Sequence, residues 1–171
     1  SLAMLFHEHL SLIKRQQTVR IFASDVHRES LQIASEGIYP ESSLEELSPE
    51  RRARYFTREG RDYRISGDLR KMLIFSPHNL IKDPPFTKMD LVSCRNLLIY
   101  FQPPAQLKAL SAFHFALKLH GVLFLGPSEG PGELAEEFSV IDRPWKLYRK
   151  IRDARLPLDV RLSLAPSLGR A

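Results

Sequence analysis

The tightest constraint on what this chain can fold into is a repeated break. Short apolar, β-branched runs stop abruptly at polar residues, and stretches of helical period lie between them. Such runs stand at about Thr18 to Ser24, ending in Asp25, and in "MLIFS", "MDLVSC" and "VLFLG"; the last is the fully apolar kind that a parallel sheet buries on both faces. "HRESLQIASEG" predicts a short helix stopped by Gly37. "PPAQLKALSAFHFALKLHG" predicts a long amphipathic helix opened by Pro103 and Pro104 and closed by Gly121. Strands alternating with helices imply a doubly wound α/β sheet, in which ligands bind beyond the carboxyl ends of the strands.

The remaining segments attach to that body. "SLAMLFHEHLSLIKRQQ" is helical in period, with Leu2, Leu5, Phe6, His9, Leu12 and Ile13 on one face. It opens on Ser, and the chain is expected to begin inside a fold. Residues 38–74 change character: Pro40, a Ser and Glu run, the helix "SPERRARYF" with Ser48 as N-cap and Pro49 in its first turn, and the polar strand "DYRIS". They read as a small inserted subdomain. Its arginines, Arg51, Arg52, Arg54, Arg58 and Arg61, form either a docking face for an acidic partner or a solvated surface. "GELAEEF", "FSVIDR" and "WKLYRK" predict a helical turn and two strands able to pair antiparallel. The main domain is thus read as 1–150 and residues 151–171 as a flexible linker or tail.

Composition narrows the classes. At 171 residues the chain can hold one domain with a real core. Its +5 formal charge is spread without a polybasic block, so a solvated surface is the reading taken and no nucleic-acid partner is expected. The single cysteine, Cys94, rules out an intrachain disulfide and suits a reducing compartment. No apolar run approaches the length of a membrane span and no secretion signal opens the chain, so a cytoplasmic protein without direct membrane insertion is expected.

The strand ends carry the candidate chemistry. Asp25 stands where a nucleotide-binding sheet places an acid whose carboxylate accepts both ribose hydroxyls, and it equally suits a cap for the helix beginning at His27. Asn79 follows the next strand; its amide can read an adenine edge, with Leu80 packing on the ring, or it can be a turn residue. The run Ser93-Cys94-Arg95-Asn96 breaks an apolar segment where a parallel strand hands over to a loop, so its polar groups face a crevice rather than a core. Cys94 reads as a semi-buried structural thiol, since a phosphatase loop separates its Cys and Arg by several residues. "DPPF" (83–86) is similar to a DNA amino-methyltransferase motif, but it precedes a strand where that motif should follow one. His7 and His9 are two apart on a helix and point to different faces, so no metal site is expected.

At "RIFASDVHRESLQIASEGIYP", "SPHNLIKDPPF", "DLVSCRNLLIYF" and "GVLFLGPSE" the chain resembles the CheR family, S-adenosylmethionine-dependent methyltransferases that esterify glutamates on bacterial chemoreceptors. The resemblance runs from Ser1 to about Lys150 and is nearest the form found in fusions with methylesterase and sensor domains, in which a linker follows. It implies a Rossmann-like class I methyltransferase sheet with a small inserted subdomain and an antiparallel C-terminal strand pair. It further implies S-adenosyl-L-methionine as cofactor, bound by Asp25 at the ribose, Asn79 and Leu80 at the adenine, and Asn96 and Leu97 along its length. Tyr100 would lie beside the transferred methyl group. Arg95 would either hold the acidic substrate or structure the loop. The inserted subdomain corresponds to the family's receptor-docking part, and its shortness between Arg58 and Tyr63 argues against tethering to a receptor-tail peptide.

One family feature is missing. The Gly-rich "G-x-x-T-G-E-E" turn after the family's first strand would lie immediately before "SLAM", and no glycine occurs before Gly37. A fragment lacking the first, central strand is therefore expected, inactive alone, with two strand edges uncovered. The function implied is methylation of glutamate carboxylates on a methyl-accepting chemoreceptor or a similar acidic helical protein, with other domains of a fusion protein as further partners. The alternative is a non-catalytic adenosyl-binding or docking module, and a nucleic-acid methyltransferase ranks last.

Overall fold

Most of the local signals mature as read in the computed structural model, which describes residues 1–13 and 17–153. The chain divides after Asn79 into two units.

The first unit opens with α1 (Leu2–Ile13), followed by β1 (Ile21–Asp25), α2 (Arg28–Glu36) and β2 (Ile38–Pro40). Gly37 closes α2 in the left-handed region, at φ 67°, its N–H returning to the Ile33 carbonyl. Next come α3 (Pro49–Tyr55), β3 (Phe56–Glu59), β4 (Asp62–Ile65), α4 (Gly67–Lys71) and β5 (Leu73–Pro77). Ser48 caps α3 as expected, its hydroxyl accepting the Arg51 N–H, with Pro49 in the first turn. β1 and β5 pair in parallel, Asp25 opposite Pro77, and α2 lies against both. β2, β4 and β3, which lie wholly within the 38–74 segment, form a separate antiparallel sheet, of which only β4 was expected as a strand.

The buried face of α1 differs from the expected one. Ala3 and Met4 join Tyr55, Leu69 and Met72 in the core, whereas Leu5 and Ile13 are exposed and Leu12 is 80% exposed. Two polar contacts account for the rotation: Glu8 takes a bidentate grip on Arg51, at 2.9 and 2.7 Å, and His7 bonds the Tyr55 hydroxyl at 3.1 Å. Residues 3, 4, 7 and 8 lie on one helix face, so these partners turn that face inward and the Leu5/Leu12 stripe outward.

The second unit runs β6 (Met89–Cys94), α5 (Pro103–Ala116), β7 (Leu117–Leu125), β8 (Phe138–Asp142) and β9 (Leu147–Lys150). β6 and β7 are parallel, while β9 pairs antiparallel with both β7 and β8, as the C-terminal pair was expected to do. The fold is mixed α/β with parallel and antiparallel sheets, the class read from the sequence. Its parallel strands fall in two sheets, β1-β5 and β6-β7-β9-β8. Among the described residues β1 is laddered only to β5 and β6 only to β7.

The long helix is shorter than predicted. "LKLHG", read as its last turns, is the start of β7. The cause lies far along the chain: the buried Lys150 ammonium donates to the carbonyls of His114 and Leu117 at 2.8 Å each. These helix-end carbonyls meet a cation instead of a further turn. α5 is also less amphipathic than expected, because Ala109, Leu110, Ser111, Phe113, His114 and Ala116 are all buried. β7 buries Leu123 and Leu125 completely and leaves Val122 and Phe124 half-buried, so only one face is sealed. Each such leucine contributes about 1.5–3 kcal/mol by leaving water.

Periodicity ends at Lys150, but Ile151–Asp153 are held to the unit. The Ile151 N–H donates to the Glu137 carbonyl, Arg152 grips the Glu137 carboxylate at 2.8 Å twice, and Asp153 pairs with Lys150. The expected tail from 154 to 171 lies outside the described residues.

Candidate functional site

In the first unit the candidate residues gather at the carboxyl ends of β1 and β5. The parallel register brings Asp25 opposite Pro77, and the His78 N–H donates to the Asp25 carbonyl at 3.0 Å. Half-buried Asn79 follows directly. The side chain of Asp25 is exposed, and its Oδ1 accepts the His27 N–H at 2.9 Å. The N-cap of α2 is His27, whose Nδ1 accepts the Ser30 N–H. Asp25 thus braces the cap without being it, and a carboxylate carries further acceptor sites beyond the one this brace uses.

The second unit holds the other group, at the carboxyl end of β6. Cys94 ends the strand buried, and burial, followed by the negative charge of Glu129, pushes its thiol up to about 12. That supports the structural reading of Cys94, since a thiol of this kind carries almost no thiolate near neutral pH. Arg95 turns outward, with its guanidinium 4.7 Å from the Phe124 ring centroid, a cation–π contact that ties it to β7. Asn96 adopts φ 60°, a conformation that asparagine tolerates better than most residues. Leu97 is 40% exposed, and a short 3-10 turn, Leu98–Tyr100, follows. Leu98 plugs into the core with Leu110 and Leu125, while Tyr100 is 78% exposed. Leu80 packs half-buried against that same core.

The loop from Cys94 to Phe101 is held by backbone bonds rather than by its own side chains. Glu129, 6% exposed, accepts three N–H groups: from Asn96 at 3.0 Å, Leu98 at 2.7 Å and Gly126 at 2.6 Å. A turn closed by the Glu129 N–H on the Gly126 carbonyl, at 3.0 Å, folds the carboxylate back onto the loop. Gly126 leaves the room this requires, because a Cβ there would fall inside Asn96 Oδ1 and 2.6 Å from Glu129 Oε2. From the other side the Gln106 amide donates to the carbonyls of Leu98 and Phe101 at 3.0 Å each.

Asp25 and Asn79 therefore share one strand-end edge, and Arg95, Asn96, Leu97 and Tyr100 share another. Glu129, Gly126 and Gln106 were not among the residues read from the sequence. Glu129 and Gly126 sit within "FLGPSE", a stretch noted only for its family resemblance; an acid three residues after a glycine in a Gly-Pro-Ser turn was the available signal. Gln106, on an ordinary helix turn, carries none.

The model of the CheR methyltransferase S-adenosylmethionine-binding domain matches residues 1–147. An uncharacterized 104.1 kDa protein from the hypE 3' region of Rhodobacter capsulatus is 40% identical over 158 residues, covering 92% of this chain and 17% of that protein. Chemotaxis protein methyltransferase 2 of Vibrio cholerae is 33% identical over 154 residues, covering 88% of this chain and 51% of its own length. The chemotaxis protein methyltransferase of Escherichia coli is 35% identical over 130 residues, 71% of this chain and 44% of that enzyme. The chain thus spans about half the length of the two chemotaxis methyltransferases.

Proposed function

The chain belongs to the CheR methyltransferase family through its S-adenosylmethionine-binding domain, and from that premise we propose that it serves methyl transfer to glutamate carboxylates on chemoreceptor-type signalling proteins. The observation that carries this reading is the clustering of Arg95, Asn96, Leu97 and Tyr100 at the carboxyl end of β6, on a loop fixed from both sides. Polar strand-end loops of this kind are where α/β sheets bind ligands.

The donor set suits the cofactor. Taken unit by unit, the first offers Asp25 carboxylate acceptors to ribose hydroxyls and the Asn79 amide, a donor and an acceptor, to an adenine edge; the second offers apolar and amide surface at Leu80, Asn96 and Leu97. When bound, S-adenosylmethionine supplies a methyl group on a sulfonium, a very good leaving group. The protein's part is light. A substrate glutamate is already ionised near neutral pH, with an ordinary pKa of about 4.3, so no general base is needed. Orientation and removal of water dominate. Tyr100 positions the reacting groups with its exposed hydroxyl. Arg95, stacked on Phe124, structures the loop and keeps its in-plane N–H donors available to an acidic substrate.

The substrate implied is acidic and helical. The 38–74 segment would meet it as a small subdomain, with Arg58 and Arg61 exposed around the tight turn joining β3 and β4. Arg58 donates to the Gly60 carbonyl within that turn, while Arg51 pairs with Glu8, Arg52 with Glu41 and Tyr63, Arg54 with Ser11 and the Tyr55 ring, and Arg64 with Glu59. A cytoplasmic setting goes with this reading, in keeping with the lone thiol. Among the described residues no helix is long and apolar enough to cross a membrane.

Calorimetry with S-adenosylhomocysteine, on this chain and on the full gene product that carries it, tests the proposal. Binding by the full product, with labelled methyl passing to receptor protein and not to DNA, is the expected result. No binding by the full product would sink the methyltransferase reading in favour of a docking module.

A further inference from the structure

We propose that Glu129 is a positioning residue of this site: its buried carboxylate, by accepting the N–H groups of Asn96, Leu98 and Gly126, sets the backbone from which Asn96, Leu97 and Tyr100 are presented. The inference rests on the methyltransferase reading for what those residues meet, and on geometry for how they are held.

The bonding pattern goes beyond what core packing needs. One bond, from the Leu98 N–H to Oε1 at 2.7 Å, would suffice to anchor the 3-10 turn whose Leu98 side chain enters the core. Oε2 reaches further and takes the N–H of Asn96, an exposed residue with φ 60°. Fixing an exposed residue in a left-handed conformation adds nothing to the core and works against a backbone preference. What it does is define where the Asn96 side chain and the next residue point. The same oxygen ties the loop to the end of β7 through the Gly126 N–H at 2.6 Å. One carboxylate therefore joins the carboxyl ends of both parallel strands of this unit.

The chemistry of the group is specific. Three N–H donors converge on two oxygens, and only an acceptor-only group matches that set. A glutamine would turn its amide NH2 toward at least one of the donors. Gln106 supplies the complementary grip with its two donated bonds to Leu98 and Phe101, which bracket Tyr100. Tyr100 is thus held by its backbone neighbours while its ring stays exposed.

Glu129→Gln in the full gene product is the direct test. S-adenosylhomocysteine affinity per folded molecule should fall about tenfold, the scale of losing one charge-assisted bond, and the KM for cofactor should rise while that for receptor protein stays put. Alkylation of Cys94 by iodoacetamide, followed on its peptide by mass spectrometry across pH to separate thiol ionisation from access, should be faster. Glu133→Gln, at an exposed acid on the same segment, should change neither. A lowered melting temperature with wild-type affinity in the folded fraction would overturn the proposal, because a merely structural role predicts that split. If Glu129→Gln does not fold, Gln106→Ala should weaken turnover with the fold intact, and wild-type turnover there would count against the clamp. Should the wild-type protein itself bind no S-adenosylhomocysteine, the methyltransferase reading fails instead. The clamp is then judged by Cys94 alone, and unchanged alkylation in Glu129→Gln overturns it.

Discussion

The two units handle charge differently. The first displays it: Arg51 with Glu8, Arg52 with Glu41 and Arg64 with Glu59 pair on or near the surface of α1, α3 and the β2-β4-β3 sheet. The second has one exposed pair, Lys118 with Asp90, among its described residues, but also buries charge: Glu129, Lys150 and Glu137 are each under a tenth exposed, and His114 is sealed near Glu137. Glu129 spends its bonds on backbone, Lys150 divides its between backbone and Asp153, and Glu137 meets Arg152. Exposed pairs contribute little to stability because water screens them. A buried ion must be fully satisfied or it destabilises the fold. The lesson is that surface pairs leave the first unit adjustable as a contact face, whereas buried ions make the second unit's loops single-valued.

The largest break in this contrast should come from Lys150→Met. It removes the ammonium that serves the His114 and Leu117 carbonyls and Asp153, leaving acceptors stranded in the interior. A loss of about 3–5 kcal/mol is expected, measured by urea denaturation. A loss under about 1 kcal/mol would mean that β9 does not depend on its buried cation.

Acid should separate the units next. Burial, followed by the neighbouring Lys150 charge, holds the His114 imidazole below its ordinary pKa. Its ring donates from Nε2 to the Arg152 carbonyl at 3.1 Å, and Glu137, Lys150 and Asp153 are the other charges around it. The unfolded chain therefore takes up this proton first, and stability falls as pH drops below about 6.5 toward the lowered native value. Glu137 is also held below the carboxylate range, chiefly by its Arg152 hydrogen bonds. Its contribution is present above the unfolded pKa of about 4.3 and is lost as pH falls through the native one. Denaturation midpoints measured from pH 8 to 3 should fall in two stages, and His114→Asn should flatten the first. A single acid transition untouched by that substitution would be the contrary outcome.

The smallest effect is expected at the first unit's surface. Arg64→Gln breaks the exposed pair with Glu59 and should leave the melting temperature essentially unchanged. A large drop would erase the distinction drawn between the units.

Much of this was legible in the chain. Ser48 and Gly37 act within one turn of where they stand, so a cap and a helix stop could be read from neighbours alone. Asp25, Asn79 and the run from Ser93 to Asn96 could be read as strand ends, because an apolar run that turns polar marks where a parallel strand leaves the sheet. The stripe of α1 could not. Leu5 and Leu12 have helical spacing, but Glu8 and His7 found partners more than 40 residues away, at Arg51 and Tyr55.

What the sequence by itself determined is therefore most of the strands, though not β2 or β3, together with their polar ends and the family those ends belong to. All of these are written in residues a few positions apart. Tertiary structure decided where α5 stops, which face of α1 is buried, and that Glu129 holds the loop carrying Asn96 and Tyr100. Each of those depends on a charged group from a distant segment meeting backbone or side-chain partners in a place where water does not compete. Such a match exists only once the strands are side by side; the turn from Gly126 to Glu129 is local, but nothing in it says which loop the carboxylate will hold.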